Sequence, residues 1–270
     1  MDMKNEKPIS AHIQTDPWQH LKSHTVARIA LGRTGVSLPT SEILDFGLAH
    51  AMARDAVHLP LDVAALSAEI AKAGFETIAV ESAVNNRQAY LLRPDLGRRL
   101  SEQSAATLAA HPRPNLPQGF DLVILVGDGL SSLAIKNHAL PMLHALRSHI
   151  PTDWKIAPIV VASQARVAIS DEVGSLLQAK LVLMLVGERP GLSSPDSLGM
   201  YLTYAPKVGR ADSERNCISN VRPQGLQYAA AAHKALWLAR EAMRIKCTGI
   251  GLKDESDVNA IESETFIALK

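Results

Sequence analysis

The sequence predicts an α/β fold: a Rossmann-like, mostly parallel sheet with flanking helices, preceded by a smaller helical and hairpin N-terminal region. Three observations lead there. Residues 122–126 (LVILV), 158–162 (PIVVA) and 181–186 (LVLMLV) are unbroken apolar runs. A strand buried on both faces reads in this way, and such strands belong to parallel sheets covered by helices on each side. Each run is followed by a polar or glycine-rich turn and then by sequence of helical character, which is the alternation of an α/β protein. Finally, 47% hydrophobic content in 270 residues is ample for a core and excludes a disordered chain.

The elements follow in order. Residues 1–17 are polar and read as a mobile arm without the apolar stretch of a signal peptide. Asp16-Pro17-Trp18 starts a helix, with proline at its first turn. Leu21, Val26, Ile29 and Ala30 continue it loosely, and Gly32-Arg33-Thr34-Gly35 interrupts it. Thr40-Ser41-Glu42 opens a second helix in which Ile43, Leu44, Leu48 and Met52 share one face. Residues 75–81 (FETIAVE) and 88–92 (QAYLL) read as the strands of a hairpin, turned at Asn85-Asn86. Arg93-Pro94-Asp95 ends the hairpin and starts a helix reaching about Ala110. The proline-rich run 111–117 is a linker, because proline blocks helix and removes donors. It separates the helical and hairpin region, 18–117, from an α/β domain over 118–250. In that domain 217–221 (CISNV) is a weaker fourth strand. Residues 228–246 form a helix with Leu236, Trp237, Ala239 and Met243 spaced for burial, and 251–270 is a polar, acidic tail.

Charge narrows the function. Lys plus Arg number 28 and Asp plus Glu 27, which excludes the basic profile of a protein held to nucleic acid through phosphates. Two cysteines, Cys217 and Cys247, cannot staple a scaffold and point to a reducing cytosol. The longest apolar run, 181–186, is too short to cross a bilayer. Aromatic residues are only 4% of the chain, so burial must come from many small contacts or from a partner.

In an open parallel sheet, ligands bind outside the carboxyl ends of the strands. Residues 127–132 (GDGLSS), 163–167 (SQARV), 187–192 (GERPGL) and 219–225 (SNVRPQG) occupy that position. The first resembles a dinucleotide fingerprint with serine at its third glycine, but no acidic residue closes the next strand to hold a ribose. A plain strand-to-helix turn is the stronger reading. Cys217 has no histidine near it in sequence and reads as a small buried cysteine rather than a thiolate. His20, His24, His138, His144 and His149 have no acidic partner at a zinc-protease spacing and read as surface histidines, so no metal site is expected. Arg28, Arg33, Arg93, Arg98 and Arg99 are either solvated helix faces or an interface to a second protein.

From about Leu21 to Gly251 the chain resembles the small (light) subunits of adenosylcobalamin-dependent ethanolamine ammonia-lyases. The resemblance is carried by Thr25-Val26-Ala27-Arg28 with Gly32-Arg33, by 93–100 (RPDLGRRL), by Asp128-Gly129-Leu130-Ser131, by 186–192 (VGERPGL) and by Cys217-Ile218-Ser219-Asn220. It implies a lyase that turns ethanolamine into acetaldehyde and ammonia by radical chemistry begun at the cobalt–carbon bond. A large barrel subunit would carry the substrate residues, so no catalytic residue is expected here. The assembly implied is a hetero-oligomer, a hexamer of heterodimers, cytoplasmic and packaged in a bacterial microcompartment. The family's cobalamin contacts fall on Val167, Glu188 and Cys217. Val167 suits packing on a corrin, Glu188 can accept from amide donors, and Cys217 is small enough for close approach. No Asp-x-His-x-x-Gly run is present to give cobalt a protein histidine, so base-on binding is expected. Two other readings stand beside this one: a stand-alone nucleotide-binding oxidoreductase using residues 127–132, and a subunit that serves assembly alone.

Overall fold

The computed structural model describes residues 14–25, 27–112 and 119–257. The expected arm (1–13 of it), Val26, most of the linker (113–118) and most of the tail (258–270) lie outside the described residues. The chain divides into two compact units, Met1–Asp55 with Gly191–Pro195, and Ala56–Pro190 with Asp196–Lys270.

In the first unit, Asp16-Pro17-Trp18 opens a short 3-10 turn, Gln19–His24, rather than an α-helix. The Asp16 side chain accepts from Trp18 N–H at 2.9 Å. Helix α1 (Thr40–His58) starts where the Thr-Ser-Glu signal placed it. Glu42 in its first turn accepts from Lys22 Nζ at 3.0 Å. The expected apolar face of α1 is not buried, however. Ile43, Leu44, Leu48 and Met52 are 52%, 67%, 63% and 47% exposed.

The second unit is built on a six-stranded sheet. Its strands are β1 (Thr77–Glu81), β2 (Leu122–Gly127), β3 (Ile159–Ser163), β4 (Leu181–Gly187), β5 (Leu198–Tyr204) and β6 (Asn216–Val221), in the spatial order β1-β3-β2-β4-β5-β6. The first four in that order are parallel. β5 and β6 pair antiparallel, so the sheet is mixed at that edge. Side chains alternate between two cores, as a pleat with period two requires. Leu122, Ile124, Val126, Leu181, Leu183 and Leu185 face α2 (Val63–Lys72), α5 (Ser132–Arg147) and α7 (Tyr228–Ile245). Val123, Leu125, Val182, Met184 and Val186 face α4 (Glu102–Ala109) and α6 (Ile169–Leu176). Every residue of β2 and β4 is buried, so the unbroken apolar runs report two covered faces.

Two further sequence readings are corrected, and one strand was missed. Residues 88–92 are not a strand: α3 (Arg87–Leu92) is a helix, and no hairpin forms. Asn86 is its N-cap, with its side chain accepting from Ala89 N–H at 2.9 Å, and helical spacing buries Arg87 and Tyr90 together. The segment after Pro94 is not one helix but a 3-10 turn, Leu96–Arg98, followed by α4, which is capped by Ser101. Strand β5 had no counterpart in the sequence reading, because Gly199, Tyr201 and Thr203 break its apolar pattern. β1 precedes the proline-rich linker yet pairs with β3 in this sheet.

The order of connections positions a site. From β2 the chain crosses through α5 to β3 on one side, and from β3 through α6 back to β4 on the other. The two crossovers lie on opposite faces, so the loops leaving β2 and β3 run to opposite sides of the sheet, and a crevice opens at the carboxyl ends between them and the end of β4.

At the other end of the sheet, Asp121 ties three segments together. Its carboxylate accepts from Lys155 N–H at 2.7 Å and from Lys180 Nζ at 2.8 Å. Burial acts upward on this carboxyl, but the Lys155 N–H and the Lys180 ammonium outweigh it and hold it below the usual range. A depressed carboxyl stabilises the fold above its unfolded value and ceases to do so as pH falls through its folded one. Asp121→Asn is therefore expected to lower the unfolding free energy by about 1–2 kcal/mol at neutral pH. In urea titrations the gap between variant and parent should close below pH of about 4.

Candidate functional site

The crevice at the carboxyl ends of β2 and β4 has a volume of about 420 Å³. Gly129 and Leu130 come from the loop after β2, Arg166 and Val167 from the loop after β3, and Gly187 and Glu188 from the end of β4. Tyr90 of α3 and Tyr201 of β5 complete it. The walls meet with almost no space at their base. Gly129 has φ of +53°, and a Cβ there would lie 2.2 Å from Gly187 O. A Cβ on Gly187 would lie 2.0 Å from Ser131 O. Leu130 N–H donates to Gly187 O at 2.9 Å, and Ser131 N–H to Asp128 O at 3.2 Å. The glycines of the Gly-Asp-Gly run thus serve close packing of two loops. Two amides that a phosphate would need, those of Leu130 and Ser131, are spent within the protein, which favours a strand-to-helix turn.

Glu188 is half-buried and rigidly aimed. Its Oε2 accepts from Ser197 Oγ in a short hydrogen bond and from Asn220 N–H at 3.2 Å. Gly199 leaves room for it, since a Cβ there would sit 3.0 Å from Glu188 Cγ. Oε1 makes no hydrogen bond among the described residues and remains an acceptor for an incoming donor. Cys217 is exposed, which corrects its reading as a buried residue. It lies on β6, the edge strand, opposite Tyr201. Its Sγ is 3.3 Å from Ser219 Oγ. Burial raises the Tyr201 phenol above its ordinary pKa, and Cys217 and Glu188 add to the rise. The phenol therefore stays protonated, as a donor on this wall.

Val167 and Glu188 thus share one crevice, and Cys217 stands beside its Tyr201 wall. Tyr90 and Arg166 were not singled out in the sequence. Tyr90 had been placed in a strand, and only the position of Arg166 next to Val167 in a carboxyl-end loop marked it. The Arg166 guanidinium lies 4.4 Å from the Tyr90 ring centroid, and its Nε is buried without a hydrogen bond.

Comparison with known proteins identifies the family. A profile of the family described as ethanolamine ammonia-lyase light chain (EutC) matches residues 15–253. The chain belongs to the ethanolamine ammonia-lyase light-chain family. Its similarity to curated relatives runs nearly end to end. A protein of Pseudomonas fluorescens (strain Pf0-1) named ethanolamine ammonia-lyase small subunit is 57% identical over 256 residues, 94% of this chain and 93% of its own. Another of that name from Pseudomonas syringae pv. tomato (strain ATCC BAA-871 / DC3000) is 56% identical over 254 residues, 92% of this chain and 87% of its own.

The remaining candidates of this light chain fall elsewhere. His138 is buried rather than at the surface, with Nδ1 2.8 Å from Tyr228 Oη and Nε2 3.2 Å from Asp196 Oδ2. His20, His24 and His144 are exposed, and His149 bonds Ala145 O at 2.9 Å. Among the described residues, no three histidine, cysteine or acidic side chains gather to hold a metal ion. Arg28 and Arg33 belong to the first unit and Arg93, Arg98 and Arg99 to the second. Arg93 pairs with Asp95 at 2.7 Å and Arg28 with Glu42 at 3.8 Å. No described helix is long and apolar enough to cross a membrane.

The tight base of the crevice is open to test. Gly129→Ala both adds a methyl against the Gly187 backbone and strains a left-handed residue, and is expected to cost about 3 kcal/mol. Thermal unfolding should show a loss of several degrees. Gly35→Ala also has a left-handed φ but meets nothing within 4 Å, and should cost less.

Proposed function

We propose that the chain is the small subunit of an ethanolamine ammonia-lyase and that, with a large subunit, it holds adenosylcobalamin against the crevice. One observation carries the reading: a member of the light-chain family places Val167 and Glu188 in the crevice at the sheet's topological switch point, with Cys217 on the strand beside it.

The residues suit that cofactor. A corrinoid is a broad apolar ring edged with amide arms. Val167 offers an apolar contact, and Glu188 Oε1 is an acceptor held in place by Ser197 and Asn220. Cys217 is a small exposed residue that leaves room for the ring edge. Base-on binding remains the reading of a chain without an Asp-x-His-x-x-Gly run. A crevice of about 420 Å³ takes an edge of such a ligand and not the whole, so a second surface must cover the rest. Bound there, the cofactor supplies the radical that begins deamination to acetaldehyde and ammonia. This chain's task is to bind, orient and exclude water. The exposed apolar side chains of α1 fit a subunit with a partner of the large-subunit kind. A hexamer of heterodimers, and packaging in a microcompartment, follow from the family resemblance.

Lyase activity measured on the purified chain should be nil and should appear on adding the large subunit and adenosylcobalamin. Activity from the chain alone would overturn the reading. In the complex, Glu188→Ala is expected to weaken cobalamin binding by about 1–3 kcal/mol, read from visible-absorption titration. Val167→Asp should weaken it more, because it sets a charge against an apolar ring. Unchanged affinity in both would leave a subunit that serves assembly alone.

A further inference from the structure

The Gly-Asp-Gly run after β2 binds no phosphate in the reading above, yet its aspartate is fully buried. Asp128 Oδ1 accepts from Ala165 N–H at 2.8 Å. Asp128 Oδ2 accepts from Arg87 Nη1 at 3.0 Å. Arg87 is itself nine-tenths buried and donates from Nε to Val57 O at 2.7 Å. Tyr90, one helical turn along α3 and 0% exposed, donates its hydroxyl to Ala165 O at 3.0 Å. The Arg87 guanidinium lies 4.7 Å from the Tyr90 ring centroid. Both backbone groups of Ala165 are therefore held by side chains from other elements. The next residue is held too, since Arg166 N–H donates to Gly97 O at 2.8 Å. Gly97 is close enough that a Cβ would meet the Tyr90 ring at 2.9 Å. The preceding residue, Gln164, has a left-handed φ of +54° that a free turn would not favour.

We propose that Arg87, Asp128 and Tyr90 are positioning residues that fix turn 164–167, and with it Val167, in the geometry the cofactor requires. The proposal rests on the cobalamin reading above. Burying an ion pair is a poor means of gaining stability, and apolar side chains of the same volume serve a core as well. Such side chains would leave Ala165 N–H and C=O without partners beside the crevice. The polar brace therefore makes sense as a device for backbone geometry. It acts through the turn, and none of its three members need touch the reacting atoms.

The test uses the complex with the large subunit. Tyr90→Phe removes one hydroxyl and keeps the ring, so it should fold. Asp128→Asn removes the charge, and Asp121→Asn at the far end of the sheet controls for general destabilisation. Two quantities are read: amide hydrogen exchange of residues 164–167 without cobalamin, and cobalamin dissociation constants by visible absorption. Tyr90→Phe should speed exchange of the turn and raise the dissociation constant about threefold to tenfold. Asp128→Asn should raise it about tenfold to a hundredfold if the complex assembles. Asp121→Asn, distant from the crevice, should change neither reading. Turn exchange unchanged in Tyr90→Phe would overturn the proposal, as would faster exchange with unchanged affinity. A parent complex that binds no cobalamin would instead overturn the functional reading itself, while the exchange data would still report on the brace.

Discussion

Two strands with no solvent face set the terms for the rest of this structure. Every residue of β2 and β4 is buried, and their side chains divide between two apolar cores. Such strands can exist only inside a sheet, with a helical layer on each side. Parallel pairing then demands helical crossovers, and the crossovers on either side of β2 must lie on opposite faces. The divergence of the loops at the carboxyl ends follows from that geometry. The crevice thus follows from burying residues 122–127 and 181–187 in one sheet.

The furnishing separates rigidity from recognition. Backbone contacts between Gly129 and Gly187 close the base. Ser197 and Asn220 take one oxygen of Glu188, and the other makes no hydrogen bond among the described residues. Residues that face the crevice are few, and the groups that fix them are hydrogen-bonded. This division keeps the ordering cost of binding low, because the walls have little freedom left to lose.

How much of this was legible in the sequence depended on whether the signal was local. Residues 122–126 and 181–186 declared themselves because burial on both faces leaves no polar residue to interrupt the run. Residues 88–92 misled because a short run with one aromatic suits a strand or a buried helix equally, and periodicity cannot choose at that length. The Asn86 cap was the local evidence that favoured helix. β5 was lost because Gly199 is there for Glu188, a contact made across the sheet. The loops bearing Val167 and Glu188 could be found by the carboxyl-end rule, but their roles came from the family resemblance. Exposure of Cys217 depends on β6 being an edge strand, which only the sheet order reveals. The link from Arg87 to Asp128 to Ala165 spans three distant segments and has no sequence signature at all.

Helix α1 has a consequence for the life of the chain in a cell. With Leu44 and Leu48 about two-thirds exposed, a newly made copy carries an adhesive surface from the moment it folds. An apolar surface of this kind, left uncovered, favours self-association. Whatever covers it therefore adds to the stability of the folded chain by mass action.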